Sequence, residues 1–325
     1  MLLRLGVIGA GLKAADYAQG WAAMPEVKIV AAAEVNPAAL DRFGKVCENA
    51  GASPPRPFGD ADAMLAAMRG QMDAVYVSTP HVLHGANAVA VVEAGYDLLL
   101  EKPMVTTQAE ALALQDAERR TDRTIVVAFQ GGLSPLVHDT RERARRGEFG
   151  DLVSVNAAIW EGWAHSYAGQ WKQDPAISGG GFMFDTGAHM MNTVCMLADS
   201  DFVRVAAFAN NRGRMVDLVT VVAAQLSNGA LVTFNAAGDG PQGCASAITF
   251  FYSKVIVRID AWGKWREIAG AREEGETRDT PIQTFMAVRE GRHPNPSTVA
   301  DGLRFAKLWD AIKLSAAENG NAVAV

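Results

Sequence analysis

Leu3-Arg4-Leu5-Gly6-Val7-Ile8-Gly9-Ala10-Gly11-Leu12-Lys13-Ala14 is the stretch whose reading decides the fold. A short apolar run ends directly in G-x-G-x-x-A, and the helix-compatible Ala15-Asp16-Tyr17-Ala18 follows. The first glycine permits a tight turn and the second lets backbone approach a pyrophosphate. The small third residue packs helix on strand, and the helix N-terminus faces the anion. Alone, a glycine turn between strand and helix is a weak signal. The sequence around it supplies the context.

A second apolar run, Val27 to Ala33, ends in Glu34, where a carboxylate can accept hydrogen bonds from the adenosine ribose. No arginine follows in Val35-Asn36-Pro37-Ala38 to hold a 2′-phosphate, which favours NAD over NADP. The plainer alternative is an acidic residue opening an Asn36-Pro37 turn. Helical and strand patterns then alternate: Asp62 to Met68, Ala74 to Ser78, Ala86 to Ala94, Tyr96 to Leu100, Gln108 to Arg120 and Thr124 to Phe129. That rhythm predicts a parallel sheet with right-handed crossovers.

Gly9, Gly11, Leu12 and Lys13 are the expected phosphate-side cofactor residues, with Glu34 at the ribose. Thr79, Pro80 and His84 are expected at the nicotinamide end, although a surface histidine in a helix's first turn reads equally well for His84. The run Tyr96 to Leu100 stops at Glu101-Lys102-Pro103, which puts Glu101 and Lys102 at a strand end, where open α/β sheets hold their ligands.

The chain has 325 residues, enough for two domains, and a net charge of −6 that argues against a nucleic-acid surface. Cys47, Cys195 and Cys244 lack paired spacing, fitting reduced thiols and a cytoplasmic protein. Neither a signal peptide nor a membrane-spanning run is expected.

Beyond residue 130 strands dominate: Leu152 to Trp160, Phe202 to Ala209, Leu218 to Leu226, Ala230 to Ala236, Ile248 to Tyr252 and Val255 to Asp260. Ser227-Asn228-Gly229 marks a hairpin. The fold class expected is an α/β Rossmann domain (1–129) followed by an α+β domain with a mostly antiparallel open sheet (130–297). A C-terminal helix (298–325) is expected to pack back on the first domain. An open sheet face predicts a homodimer or homotetramer. One buried helix, Phe182 to Leu197, carries Asp185, His189 and Asn192 on a single stripe. This is either a satisfied core pair or a cleft lining, and no metal site is expected because no third ligand stands at metal spacing. Trp160, Trp163, His165, Tyr167 and Trp171 cluster before it; Trp163, His165 and Tyr167 are candidate substrate contacts, with ordinary packing as the alternative.

Taken together, the glycine turn, Ser78-Thr79-Pro80-His81-Val82-Leu83-His84, Ala94 to Pro103 and Gly179 to His189 resemble the glucose–fructose oxidoreductase, inositol dehydrogenase and MocA family over nearly the full length. The resemblance implies an active site between a Rossmann domain and an open sheet, with Lys102, Asp185 and His189 as the catalytic set. In some members the Lys-Pro bond is cis. Two departures stand out: His81 where asparagine is frequent, and Gln130-Gly131-Gly132-Leu133 where basic residues are common.

The expected reaction is hydride transfer between NAD and a secondary alcohol or ketone of a sugar or polyol. Imidazole, with an unperturbed pKa of ~6.5, suits the proton transfer. Lys102 would hold the substrate oxygen. The rival readings are NAD-assisted glycoside cleavage and an inactive dinucleotide-dependent binding or regulatory protein.

Overall fold

In the computed structural model, which describes residues 2–275 and 280–325, Leu3–Ile8 forms β1 at the centre of a parallel sheet. Its neighbours are β2 (Val27–Ala33), β3 (Arg56–Phe58), β4 (Ala74–Val77), β5 (Asp97–Leu100) and β6 (Ile125–Val127), in the order β3-β2-β1-β4-β5-β6. Every pairing is parallel, so each strand needs a crossover. The helices are α1 (Leu12–Trp21), α2 (Pro37–Asn49), α3 (Ala61–Ala67), α4 (His84–Glu93) and α5 (Gln108–Thr121). Strands covered on both faces read as unbroken apolar runs, and β4, β5 and β6 are buried at every position. Helix starts follow local chemistry: Asn36 accepts the Ala38 N–H at 3.1 Å ahead of Pro37, and Asp60 accepts that of Ala63 at 2.7 Å. Trp21 fills the space between Tyr17 (5.0 Å between centroids) and Tyr76 (4.9 Å), and burying such a ring contributes on the order of 1.5–3 kcal/mol.

A second compact unit runs from Phe129 to the end of the described stretch at Gly275 and takes in 106–108 and 300–325. It holds α6 (Pro135–Arg145), α7 (Trp163–Ser166), α8 (Pro175–Ser178), α9 (Phe182–Asp185) and α10 (Gly187–Ala198). Its sheet comprises β7 (Leu152–Glu161), β8 (Phe202–Asn210), β9 (Val219–Leu226), β10 (Leu231–Ala237), β11 (Cys244–Tyr252), β12 (Ile256–Ile259), β13 (Trp265–Ile268), β14 (Ala271–Glu274) and β15 (Val323–Ala324). The order is β14-β13-β12-β11-β7-β10-β9-β8-β15, antiparallel except for β7–β10. Asn228-Gly229 makes the expected β9–β10 turn, with Gly229 at φ +89°. β9 and β10 alternate buried and exposed residues. The solvent-facing set is rich in large apolar side chains, among them Phe208, Val221, Leu231 and Ile256.

Three expectations change. The helix expected over Phe182 to Leu197 is two helices that break at Thr186. The short strands β3, β13, β14 and β15 went unread because they lack an apolar alternation; β14 is exposed throughout. The expected boundaries also move. Residues 280–299, carrying α11 (Pro281–Arg289), belong with the parallel sheet, whereas most of α12 (Val299–Ala317) belongs with the second unit. Long-range bonds decide both: Arg289 pairs with Asp97 at 2.7 Å and Asn295 donates to the Ile125 carbonyl at 2.6 Å. On α12, Phe305 and Trp309 pack on Phe184, and Ser315 accepts the Ala207 N–H at 2.8 Å. Most of the C-terminal helix therefore belongs with the second unit.

Candidate active site

Parallel strands deliver their carboxyl ends to one edge, and here the strand order reverses between β1 and β4, the topological switch point at which such sheets hold ligands. Gly9 follows β1 at φ +88°. A Cβ there would lie 2.7 Å from the Ser78 and Thr79 backbone, so only glycine lets the turn pack against the end of β4. Ser78 Oγ donates to the Gly9 carbonyl at 2.8 Å and locks the two ends together. Gly11 is the opposite case, since a Cβ there would meet nothing within 4 Å. No side chain caps α1 at Gly11, so its first-turn N–H groups are available to an anion. Leu12 is exposed in that first turn, and Lys13 lies 4.1 Å above the Tyr17 ring. Glu34 ends β2, its carboxylate fixed by the Asn36 N–H at 3.0 Å. Thr79 Oγ1 is buried with no hydrogen-bond partner among the described residues, an unmet polar group beside the glycine turn. An open helix N-terminus, a carboxylate at the end of β2 and an orphaned hydroxyl together fit a dinucleotide.

Beyond β5, Glu101 is buried, accepting from Tyr76 Oη at 3.0 Å and from the Lys102 N–H at 3.1 Å. Burial raises its carboxyl above the ordinary range, while the Lys13 and Lys102 charges and these bonds oppose the rise. Burial and the nearby Glu101 push the Tyr76 phenol well above its usual value. Lys102 is half-buried, and the Lys102–Pro103 peptide is cis. His84 is a correction to the sequence reading on both counts. It is 1% exposed, neither a surface residue nor placed to touch a ligand. Its two ring nitrogens lie against backbone carbonyls, Pro103 O at 2.7 Å and Thr79 O at 2.8 Å.

In the second unit, one residue that the sequence reading missed sets the start of α9. Asp217 takes three successive N–H groups: Gly181 on Oδ1 at 2.8 Å, Phe182 on its carbonyl at 2.9 Å and Met183 on Oδ2 at 3.1 Å. One turn later Asp185, 2% exposed, accepts at Oδ2 from Trp163 Nε1 (2.8 Å) and Lys172 Nζ (2.7 Å). Lys172 went unread because a lone lysine thirteen positions upstream carries no periodic signal. Trp163 is a further correction: it is fully buried and spends its indole N–H on Asp185, so it supports the carboxylate and presents no face to a substrate. His189 is buried between the Phe129 ring (6.2 Å between centroids) and Trp262 (5.5 Å). Asn192 is buried on the next turn, its Oδ1 without a partner among the described residues. His165 is exposed, 3.7 Å from Asp239, and Tyr167 stacks under the Lys172 ammonium at 4.1 Å. Among the described residues no three His, Cys, Asp or Glu side chains gather to hold a metal, and no helix is long and apolar enough to cross a membrane.

The structure thus groups Gly9, Gly11, Lys13, Glu34, Thr79, Glu101 and Lys102 along one sheet edge, and Asp185 and His189 on consecutive helices. The first set can bind a dinucleotide and carries an ammonium suited to oxyanion chemistry, and the second carries an imidazole suited to proton transfer.

Comparison with known proteins agrees. Residues 3–129 match the model described as "Oxidoreductase family, NAD-binding Rossmann fold", and residues 137–258 match the GFO/IDH/MocA C-terminal domain. Levoglucosan dehydrogenase of Pseudarthrobacter phenanthrenivorans is 26% identical over 204 residues, covering 58% of this chain and 50% of that protein. Inositol 2-dehydrogenase 2 of Saccharopolyspora erythraea is 29% identical over 215 residues, covering 65% and 58%. The chain spans about half the length of the first of these curated relatives. A solved levoglucosan dehydrogenase in complex with NADH and levoglucosan superposes with a TM-score of 0.84 at 21% identity, covering 100% of this chain and 99% of that one. With the two family models together matching most of its length, the chain belongs to the GFO/IDH/MocA family of oxidoreductases.

Proposed function

We propose that the protein is an NAD-dependent dehydrogenase that transfers hydride reversibly between the cofactor and a secondary alcohol of a sugar, polyol or related small molecule. The observation that carries this reading is the β1–β4 switch point, where an uncapped α1, Glu34 and a Thr79 hydroxyl without a partner among the described residues stand beside the strand that delivers Lys102. Gly9, Gly11, Lys13, Glu34 and Thr79 would hold the cofactor, which when bound supplies the hydride acceptor. Lys102 donates a hydrogen bond to the substrate oxygen and stabilises its alkoxide character. His189 exchanges the hydroxyl proton. Asp185, held by Lys172 and Trp163, is a fixed anion suited to orienting groups rather than to shuttling protons.

Two further readings belong here. Three unpaired cysteines support a reducing, cytoplasmic setting. The apolar, solvent-facing side of the nine-stranded sheet supports pairing with a second copy of the chain. The central test is a panel of sugars and polyols with NAD and with NADP, followed at the NADH absorbance band. Turnover with NAD supports the reading; sugar release with no net absorbance change would replace it with NAD-assisted glycoside cleavage.

A further inference from the structure

His84 is a buried titratable side chain for which hydride transfer has no direct use. A backbone carbonyl accepts and never donates, and a neutral imidazole carries one N–H. Yet both ring nitrogens lie at hydrogen-bond distance from carbonyls, Nδ1 from Pro103 O at 2.7 Å and Nε2 from Thr79 O at 2.8 Å. Only the ring with two protons donates to both. One carbonyl belongs to the residue after Lys102, and the other belongs to the loop whose Thr79 hydroxyl has no hydrogen-bond partner among the described residues. We propose that His84 is a positioning residue for Lys102, tying the loop after β5 to the loop after β4 through a strap that is complete only in the doubly protonated ring. The importance of Lys102 to turnover rests on the function proposed above; the strap itself does not.

The groups around the ring oppose one another. Burial disfavours the cation most strongly and lowers the pKa, and the Lys102 charge adds to this. The two carbonyls and Glu110 of α5 favour the cation. His81 lies edge-on, its ring centroid 5.7 Å away. The second N–H is therefore lost as pH rises, at a point below the ordinary value of 6.5. The carbonyl left facing a lone pair then moves off, and the Lys102 segment loosens.

The test is side-chain 15N–1H correlation NMR on the full-length chain labelled at histidine nitrogen, with His84→Gln to assign the signal. Titrated downward from about pH 8, the strap requires one protonated nitrogen on the alkaline side and two below an inflection that lies under 6.5. A single protonated nitrogen throughout overturns it. Lys102, followed by 13C-methylation and assigned with Lys102→Arg, must shift with the same inflection, and His84→Gln must abolish that shift. A Lys102 signal blind to His84 overturns the positioning role. If His84→Gln fails to fold, co-titration of the two signals in the wild-type chain decides the matter. On a substrate that turns over, His84→Gln lowers kcat by up to ~10²-fold while NADH affinity holds. Absence of turnover on every sugar and polyol would refute the proposed function and leave the titrations to judge the strap.

Discussion

The Lys172 ammonium lies 2.7 Å from Oδ2 of Asp185, a carboxylate 2% exposed that also takes the Trp163 indole N–H on the same oxygen. Donors so placed stand in for the water that a buried carboxylate has lost. Lys172→Met removes one donor from that carboxylate, and stability should fall by ~1–3 kcal/mol in urea unfolding. Adding Asp185→Asn to Lys172→Met should recover part of the loss. Unchanged stability in the single variant would show that the pair does not hold the helix.

Turnover depends on His189 and Lys102 if they serve as acid/base and oxyanion donor. His189→Ala and Lys102→Ala should each lower kcat by ~10²–10⁴-fold on a substrate the wild type oxidises. His189→Ala should leave NADH affinity, read by fluorescence titration, where it was. Wild-type rates in both variants would remove these residues from the chemistry.

Cofactor choice should follow Glu34, whose carboxylate repels a 2′-phosphate at the end of β2. Glu34→Arg is expected to shift the ratio of kcat/KM values for NAD and NADP by about tenfold or more toward NADP, equivalent to ~1.4 kcal/mol. An unmoved ratio would place cofactor discrimination elsewhere.

Glu101 and His84 give stability opposite slopes with pH. Glu101 has its folded pKa raised by burial, so the folded chain binds the extra proton, and its contribution is lost as pH rises above the ordinary 4.5. His84 has its folded pKa lowered by burial, so the unfolded chain binds the extra proton, and stability is lost as pH falls below 6.5. In wild type the two partly cancel. In urea titrations across this window, Glu101→Gln should make stability climb more steeply with pH and His84→Gln should make it climb less. Parallel curves for all three proteins would contradict these assignments.

The sheet face offers a fifth test. Phe208 and Leu231, 64% and 60% exposed, stand among other apolar residues pointing to solvent. Phe208→Lys with Leu231→Glu should convert an oligomer to monomer in light scattering at unchanged secondary structure. A wild-type chain that is itself monomeric would refute the pairing.

The sequence by itself determined the parallel sheet and its ligand edge, because they are written in local signals: two-sided burial makes β4, β5 and β6 apolar runs, and a turn against Ser78 and Thr79 demands Gly9. Glu34, Lys102, Asp185 and His189 were legible for the same reason, each standing at the end of a periodic element or on a helical stripe. Tertiary structure alone decided what holds them. The Asp217 cradle gathers amides 34 to 36 positions away, Lys172 reaches Asp185 from a separate loop, and His84 meets two carbonyls brought together by neighbouring strands. It also decided that α12 packs against Phe184 and that Arg289 of α11 pairs with Asp97. An apolar stripe states that a helix face is buried; which surface buries it is settled by shape and by hydrogen bonds formed only once distant segments meet.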